Sequence, residues 1–313
     1  MEVIRCEGLT KRYGRTVAVD RLDLGVEAGQ VFGFLGPNGS GKTTTMRMLL
    51  GLIRPTAGRA WLNGRPLPDP DGLARVGSMI EEPAFYPWMT GRRNLEVAAL
   101  SGPPLPRAGV IGDVLERVGL AIVADRKVKT YSQGMRQRLA LALALLREPS
   151  LVVLDEPLNG MDPAGIREFR ATMRSLAASG TTVFLSSHQL SEVEQLCDRV
   201  AVVQAGRLLQ QGRVDDLTGA LVRVDLAPAE QDRACVLLEG RFTLRTEGSE
   251  VVLVDSTDSR AVNEALGRGG VWARQIRVER SGLEEAFLDL TGDKPGPDAG
   301  TDDDRGRHAP VAR

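Results

Sequence analysis

Near its N-terminal end the chain contains the glycine-rich sequence Gly36-Pro37-Asn38-Gly39-Ser40-Gly41-Lys42-Thr43-Thr44. The apolar run Val31–Leu35 precedes it and a helical stretch, Thr45–Gly51, follows it, so the loop joins a strand to a helix. Its glycines let successive backbone N–H groups turn inward around a polyphosphate, and the helix N-terminus adds the positive end of its dipole. In this pattern Lys42 reaches the β- and γ-phosphates and the Thr43 hydroxyl ligates Mg²⁺. The stretch predicts a phosphate-binding loop in an α/β fold.

A second apolar run ends in two acidic residues. Leu151–Leu154 leads directly into Asp155 and Glu156, and open α/β sheets bind ligands at the carboxyl ends of their strands. Alone, such a pair is typical of a solvated turn. Together with the phosphate loop, it predicts that Asp155 holds Mg²⁺ through water and that Glu156 accepts the proton of an attacking water. These two motifs leave kinases, GTPases, helicases and transport motors open as classes.

The composition of the chain limits the classes of partner and of site that it can have. Of its 313 residues, 42% are apolar and 26% charged, values typical of a soluble globular protein. Its net charge is -1, which makes nucleic acid an improbable main partner. The longest apolar run, Leu139–Leu146, is far shorter than the ~20 residues of a membrane helix. Three cysteines without a CxxC pair predict neither a disulfide framework nor a zinc site, and with the absence of a signal-peptide core they indicate a cytosolic chain.

Two changes in composition divide the chain. Residues 1–216 alternate short, continuously apolar strands with helices, a pattern typical of a parallel sheet covered on both faces. Residues 217–292 predict the order β-α-β-β-α-β-α, compatible with a small split-βαβ α+β domain, and residues 293–313 are predicted to be disordered. The predicted strands of the second segment are Leu221–Leu226, Phe242–Arg245, Val251–Val254 and Gln275–Val278, and its helices are Ala229–Glu239, Ser259–Arg268 and Leu283–Thr291.

A third motif lies between the phosphate loop and the acidic pair, and it reads Tyr131-Ser132-Gln133-Gly134-Met135. Here the chain resembles the ATP-binding-cassette (ABC) ATPases, whose signature is usually Leu-Ser-Gly-Gly-Gln. Ser132 and Gly134 match that signature, and a serine hydroxyl with the amides of a helix N-terminus still faces an anion. Gln133 replaces a glycine, which either crowds the nucleotide or weakens the site. The resemblance implies a P-loop NTPase cassette, a mostly parallel sheet core with a helical subdomain.

Three further positions take their roles from the resemblance. Tyr13 matches the aromatic residue on which adenine stacks, although a half-buried strand aromatic is a nearly equal interpretation. Asp162 lies in the loop that crosses the dimer interface in the family, and it also fits a helix cap before Pro163. His188 directly follows a predicted strand, Val183–Ser186 with Ser187, and matches the histidine that senses the γ-phosphate.

The clearest departure from the family is Glu81, which stands where a glutamine usually contacts the metal and the water. A glutamate can still ligate Mg²⁺ through oxygen, but it brings an additional negative charge towards the γ-phosphate. Glu82 takes this place if the register is shifted by one, and both residues also fit a pair of solvated turn acids before Pro83. Glu81 is therefore predicted as a catalytic and metal-contacting residue with two alternatives open.

An aromatic cluster, Phe85, Tyr86 and Trp88, follows within a few residues. It fits either a small satellite core or an apolar docking face, and the enrichment of aromatic residues in the centres of interfaces favours docking. In the ABC family this region receives the coupling helices of the membrane subunits.

The resemblance implies an ATPase that binds ATP and Mg²⁺, acts as a homodimer and works with a separate transmembrane permease subunit. In this hypothesis Glu156 is the base and His188 the sensor, and Ser132 and Gly134 of a second copy cap the γ-phosphate. Leu283-Glu284-Glu285-Ala286-Phe287 matches a stretch of bacterial multidrug and antibiotic-resistance exporters. The leading hypothesis is therefore export of drugs, antibiotics or lipids by a cytoplasmic chain that is peripheral on the inner face of the cell membrane.

Two other classes remain as alternatives. A soluble ABC ATPase that acts on DNA or ribosomes usually has long coiled coils or two cassettes, whereas this chain has neither and is nearly neutral. A metabolic phosphoryl-transfer kinase has no use for Ser132-Gln133-Gly134 together with His188.

Overall fold

The computed structural model describes residues 1–80, 84–101, 105–248, 250–253, 256, 258–280 and 282–291, which form 14 strands and 11 α-helices. The strands are β1 (Glu2–Tyr13), β2 (Thr16–Glu27), β3 (Val31–Leu35), β4 (Ala57–Leu62), β5 (Arg65–Pro66), β6 (Val76–Met79), β7 (Leu151–Leu154), β8 (Thr182–Ser187), β9 (Arg199–Gln204), β10 (Arg207–Arg213), β11 (Ala220–Asp225), β12 (Leu244–Glu247), β13 (Glu250–Leu253) and β14 (Gln275–Arg280). The helices are α1 (Lys42–Leu49), α2 (Pro70–Leu73), α3 (Gly91–Ala99), α4 (Val110–Arg117), α5 (Gln133–Leu145), α6 (Pro163–Ala178), α7 (Leu190–Leu196), α8 (Val214–Leu217), α9 (Gln231–Leu238), α10 (Ser259–Arg268) and α11 (Leu283–Thr291).

A six-stranded sheet in the order β10-β9-β3-β8-β7-β6 forms the centre of the first segment, and only β10 runs antiparallel to its neighbour. Every residue of β3, β7 and β8 is buried, as their continuous apolar sequences predict for a sheet covered on both faces. Since β3, β8 and β7 are parallel neighbours, their carboxyl ends meet at one edge of the sheet. The phosphate loop, the acidic pair and His188 all follow these three ends.

Each face of the central sheet has its own hydrophobic core. On one face, Phe32, Phe34 and Phe184 pack towards α1 and the antiparallel sheet β2-β1-β4-β5. The ring centroid of Phe184 lies 5.8 Å from that of Phe32 and 5.4 Å from that of Phe34. The opposite face packs against α5, α6 and α7. Cys6 and Cys197 are buried and free, and burial raises the pKa of the Cys6 thiol to about 12.

Helix α5 begins at Gln133, within the signature motif and six residues before the apolar run from which the sequence predicts a helix. Ser132 is its N-cap, and the Ser132 Oγ accepts the Met135 N–H at 3.2 Å. Tyr131, which stands in place of the family's leucine, is buried, and its hydroxyl donates to the Val123 carbonyl at 2.8 Å. Burial also raises the pKa of Tyr131. The departure at Tyr131 is therefore accommodated within the helical subdomain.

The C-terminal segment has the predicted order β-α-β-β-α-β-α, and its antiparallel sheet has the order β12-β13-β11-β14. Helices α9 and α10 enclose a separate core with this sheet. Helix α11, in contrast, packs against α7 and α8, and the buried Leu283 belongs to the core of the larger body. The division into a cassette of residues 1–216 and an appendage of residues 217–292 stays a prediction, and the last helix of the second segment contacts α7 and α8 of the first. Residues 293–313 lie outside the described part.

Within the described part of the chain, every helix is too short or too polar to be a membrane span.

Candidate functional site

The phosphate loop connects β3 to α1 and folds back on its own lysine. Gly39 and Gly41 have φ angles of 81° and 102°, a left-handed conformation that favours glycine, and a Cβ on Gly41 would overlap the Ala18 carbonyl. The buried Lys42 Nζ donates to the Gly36 carbonyl at 2.7 Å and to the Pro37 carbonyl at 3.2 Å. Helix α1 begins at Lys42, so its N-terminal amides and this ammonium lie together, which is the arrangement expected for a polyphosphate.

Ser40 supplies a second indication that this loop binds a ligand. Its Oγ is buried and has no hydrogen-bond partner among the described residues. Burying a hydroxyl without a hydrogen bond costs free energy of folding. An unpaired buried hydroxyl in this glycine-rich loop is explained if a bound ligand supplies its partner.

Asp155 and Glu156 lie beside this loop, at the carboxyl end of β7. Asp155 Oδ2 accepts a hydrogen bond from Thr43 Oγ1 at 2.6 Å, and Asp155 Oδ1 accepts one from the Ser186 hydroxyl. The Glu156 N–H donates to the same Ser186 Oγ at 2.9 Å. Glu156 has a φ angle of 48°, a left-handed conformation that costs a non-glycine residue about 1–3 kcal/mol. The strand end therefore holds the two acids in fixed and different environments.

Glu156 joins the lysine and the histidine. Its Oε1 lies 3.5 Å from Lys42 Nζ, and its Oε2 accepts a hydrogen bond from His188 Nδ1 at 2.8 Å. Since an ionised carboxylate can only accept, the proton of this bond is on His188. Lys42, Thr43, Asp155, Glu156 and His188, which the sequence predicts as one site, are connected through these contacts.

Thr43 and Asp155 fit a magnesium ion. Their hydroxyl and carboxylate oxygens are hard donors, and Mg²⁺ is usually held by one or two protein oxygens together with substrate phosphates. No group of three or more His, Cys, Asp or Glu in the described part of the chain is arranged to hold a metal by itself. The donor set therefore suits an ion that arrives with a phosphate ligand.

The signature residues and Asp162 form a second group. Ser132, Gln133, Gly134 and Asp162 line one cavity of about 360 Å³. Asp162 caps α6, and its Oδ1 accepts the Gly165 N–H at 2.7 Å, as the alternative interpretation of this residue predicts. A Cβ on Gly160 would overlap the Gln133 side chain, so that side chain lies against the loop before Asp162. The two motifs are thus neighbours in one chain.

Tyr13 ends β1 and is 49% exposed. The Lys11 ammonium lies 5.0 Å from the centroid of its ring, a cation–π distance, and Lys11 Nζ also donates to the Arg54 carbonyl at 2.6 Å. A half-exposed ring supported by a lysine fits both interpretations of Tyr13.

Glu81, Glu82 and Pro83 lie outside the described residues, and the roles of Glu81 stay predictions. Beyond them, Phe85 packs against the core, whereas Tyr86 and Trp88 are 45% and 62% exposed with ring centroids 5.5 Å apart. The aromatic cluster therefore combines the two interpretations, with one core residue and two residues at the surface.

Sequence reasoning assigned no role to Ser186. The signal was a serine directly after the apolar run Val183–Leu185, in a strand whose side chains are all buried. A polar side chain in such a place needs a partner, and here the partners are the two acids.

Comparison with known proteins matches residues 19–159 to the ABC transporter family. The chain is 39% identical over 300 residues to the bacitracin transport ATP-binding protein BcrA of Bacillus licheniformis, covering 93% of this chain and 97% of BcrA. It is 37% identical over 316 residues to the daunorubicin/doxorubicin resistance ATP-binding protein DrrA of Streptomyces peucetius, covering 96% and 95% of the two chains. A nucleotide-free ATP-binding cassette from an ABC transporter superposes with a TM-score of 0.63 at 25% identity, over 69% of this chain and 93% of that cassette.

Proposed function

The chain belongs to the ATP-binding subunits of ABC transporters, and we propose that it powers the export of an antibiotic, a drug or a lipid. Membership of this family makes it an ATPase and implies a membrane partner. The names of BcrA and DrrA, which are similar over nearly the whole chain, support export of antibiotic-like compounds. In this proposal the chain lies on the inner face of the membrane, with the exposed Tyr86 and Trp88 towards its permease.

The main structural support for ATP hydrolysis in this proposal is the contact of Glu156 with both Lys42 and His188 beside the phosphate loop. Lys42 now donates to two carbonyls of its own loop. Charge-assisted bonds to phosphate oxygens are stronger than bonds to neutral carbonyls, so ATP would draw the ammonium away from them. In this proposal Glu156 then accepts the proton of the attacking water.

The remaining residues bind and orient. Thr43 and Asp155 would hold Mg²⁺, which when bound supplies positive charge against the charge that develops on the phosphate oxygens. His188 holds one oxygen of Glu156 and senses the γ-phosphate. In the same proposal Tyr13 stacks on adenine, and Ser132, Gln133 and Gly134 of a second copy close over the nucleotide.

The test separates binding from hydrolysis in purified protein. Lys42→Ala is expected to weaken the affinity for a fluorescent ATP analogue, because it removes the charge at the phosphates. Glu156→Gln is expected to retain that affinity and to slow phosphate release by about 10²–10⁴-fold, because it removes the base. Arg260→Ala, which removes an exposed cation on α10 of the C-terminal segment, serves as the control and should behave as wild type.

Two results would contradict the assignment, namely unchanged affinity in Lys42→Ala or wild-type turnover in Glu156→Gln. Export is tested with the same variants in cells that contain the permease. Resistance to the exported compound should be lost in Glu156→Gln and kept in Arg260→Ala, and resistance that survives Glu156→Gln would argue against an exporter.

A further inference from the structure

Ser186 connects the two acids of the site through a single hydroxyl. It is fully buried near the carboxyl end of β8, its Oγ donates to Asp155 Oδ1, and it accepts the Glu156 N–H at 2.9 Å. The directions of these bonds follow from chemistry, because an ionised carboxylate can only accept, a backbone N–H can only donate and a serine hydroxyl can do both. No other arrangement of this hydroxyl satisfies both neighbours.

The hydroxyl fixes the orientation of the Asp155 carboxylate. The second oxygen of that carboxylate is bound by Thr43 Oγ1 at 2.6 Å, so Asp155 is held from α1 on one side and from β8 on the other. A carboxylate held at both oxygens keeps one orientation, and residues that orient metal ligands in this way strongly influence metal affinity.

The same hydroxyl fixes the backbone of Glu156. This residue has a φ angle of 48°, which a glutamate adopts only when its surroundings impose it. The bond from its N–H to Ser186 Oγ is such a restraint, and the conformation it supports directs the Glu156 side chain to His188 and Lys42.

We propose that Ser186 is a positioning residue that sets the carboxylate of Asp155 and the backbone of Glu156 relative to each other, and so couples the affinity for Mg²⁺ to the placement of the base. The proposal rests on the proposed roles of Asp155 and Glu156. Ser186 acts through these two residues and itself contacts neither phosphate nor metal.

A purely structural serine would affect stability alone, and β8 contains a matched control for that case. Thr182, at the other end of the strand, is also fully buried, and its Oγ1 accepts the Gly29 N–H at 3.0 Å. Like the Ser186 hydroxyl, the Thr182 hydroxyl is buried in β8 and accepts a backbone N–H, but it lies at the end of the strand away from the two acids. Thr182→Val therefore removes a comparable hydrogen bond without touching Asp155 or Glu156.

The experiment compares wild type, Ser186→Ala, Ser186→Thr, Ser186→Cys and Thr182→Val. Affinity for a fluorescent ATP analogue is measured in EDTA and during a Mg²⁺ titration, alongside ATP turnover and the melting temperature. Ser186→Ala is expected to raise the Mg²⁺ concentration at half-maximal binding roughly 10- to 100-fold and to lower kcat, while the affinity in EDTA changes by less than about 2-fold.

The other variants test whether the hydroxyl itself is responsible. Ser186→Thr keeps the hydroxyl in a residue that strands accept, and it should restore the Mg²⁺ midpoint. Ser186→Cys keeps a side chain of similar volume with a weaker hydrogen-bond donor, so its Mg²⁺ midpoint should lie between those of wild type and Ser186→Ala. This variant also allows the test if Ser186→Ala does not fold. Thr182→Val should lower the melting temperature and leave the Mg²⁺ midpoint unchanged.

The inference is overturned if folded Ser186→Ala or Ser186→Cys has the wild-type midpoint, if Ser186→Thr is as defective as Ser186→Ala, or if Thr182→Val shifts the midpoint equally. Failure of the proposed function is a different result. In that case wild type itself would show no Mg²⁺-dependent binding or turnover of ATP.

Discussion

Gln133 occupies space that a side chain at residue 160 would need. Gly160 has a φ angle of 75°, and a Cβ built on it would overlap the amide group of Gln133. The residue types at these two positions are therefore physically coupled, and the departure of Gln133 from the family signature has a structural consequence in its own chain. It places the start of α5 against the loop that leads to Asp162.

This contact predicts a measurable coupling. Gly160→Ala should lower the free energy of unfolding through backbone strain and through the displaced Gln133 side chain. Adding Gln133→Gly should recover the second part, with a coupling free energy of about 0.5–3 kcal/mol in a double-mutant cycle measured by denaturant unfolding. Gly180 has a φ angle of 91°, and a methyl group there would meet nothing within 4 Å, so Gly180→Ala reports strain alone.

Gly180→Ala is the control for the coupling between residues 133 and 160. Gln133→Gly should not rescue Gly180→Ala. A coupling near zero between residues 133 and 160 would mean that the Gln133 side chain moves aside freely, and the two motifs would then be independent.

The placement of Lys42, Asp155 and His188 side by side could be predicted because each follows a buried strand. A continuous apolar run fixes where the strand ends, and the parallel sheet brings Lys42, Asp155 and His188 to one edge. The contacts within the site could not be predicted in the same way. The bond of Glu156 to His188 and the bonds of Ser186 depend on side-chain directions and on a left-handed φ angle, which no sequence period encodes.

At the scale of elements, α11 shows a related limit of sequence patterns. Its amphipathic sequence predicts a helix over Leu283–Thr291, and the structure has a helix with the same bounds. The pattern does not tell which core the helix enters. Leu283 lies in the core of the cassette, and its N–H donates to Glu194 Oε2 of α7 at 3.1 Å. Helix α7 begins two residues after His188, so the end of the C-terminal segment supports the element that follows the histidine.

We expect Leu283→Ala to destabilise α7 rather than the C-terminal sheet. Loss of a buried leucine side chain costs about 2–5 kcal/mol, and the cost falls on the elements that line the cavity. Leu266→Ala is the matched control, since Leu266 of α10 is equally buried but belongs to the separate core of the C-terminal sheet. Hydrogen exchange measured by mass spectrometry resolves the two regions.

Faster exchange in Leu190–Leu196 is expected for Leu283→Ala, and faster exchange in β11 to β14 for Leu266→Ala. Unchanged exchange of α7 in Leu283→Ala would show that α11 is only an appended helix. The cassette and the C-terminal segment would then be separate units, as the change in composition near residue 217 alone suggests.

The predicted nucleotide contacts of the chain divide into two groups on different elements. One group lies at the carboxyl edge of the central sheet, around Lys42 and Asp155, and the other lines the cavity at the start of α5, around Ser132 and Gly134. Each group offers donors to a phosphate, through an ammonium in one case and a helix N-terminus in the other. In the proposed homodimer, ATP is held between the first group of one copy and the second group of the other.

This arrangement predicts complementation between two defective variants. In a Glu156→Gln background, which preserves bound ATP, Lys42→Ala removes the first group and Gly134→Glu adds bulk and negative charge to the second. A Cβ on Gly134 meets nothing within 4 Å in its own chain, and Gly134 lines the cavity at the start of α5, so the substitution is expected to act on what enters that cavity. Each variant alone should remain monomeric with saturating ATP in analytical ultracentrifugation. Their mixture should form dimers, because a mixed pair contains one intact site.

Which variants pair in these dimers shows whether the two copies meet across the nucleotide or through another surface. When the two variants carry different fluorophores, ATP-dependent dimers should contain one of each, since only that pairing joins an intact phosphate loop to an intact signature. If the mixture stays monomeric while Glu156→Gln alone dimerises, or if Gly134→Glu dimerises by itself, the copies meet through another surface. ATP would then be bound within a single chain, and the signature group would need a different ligand.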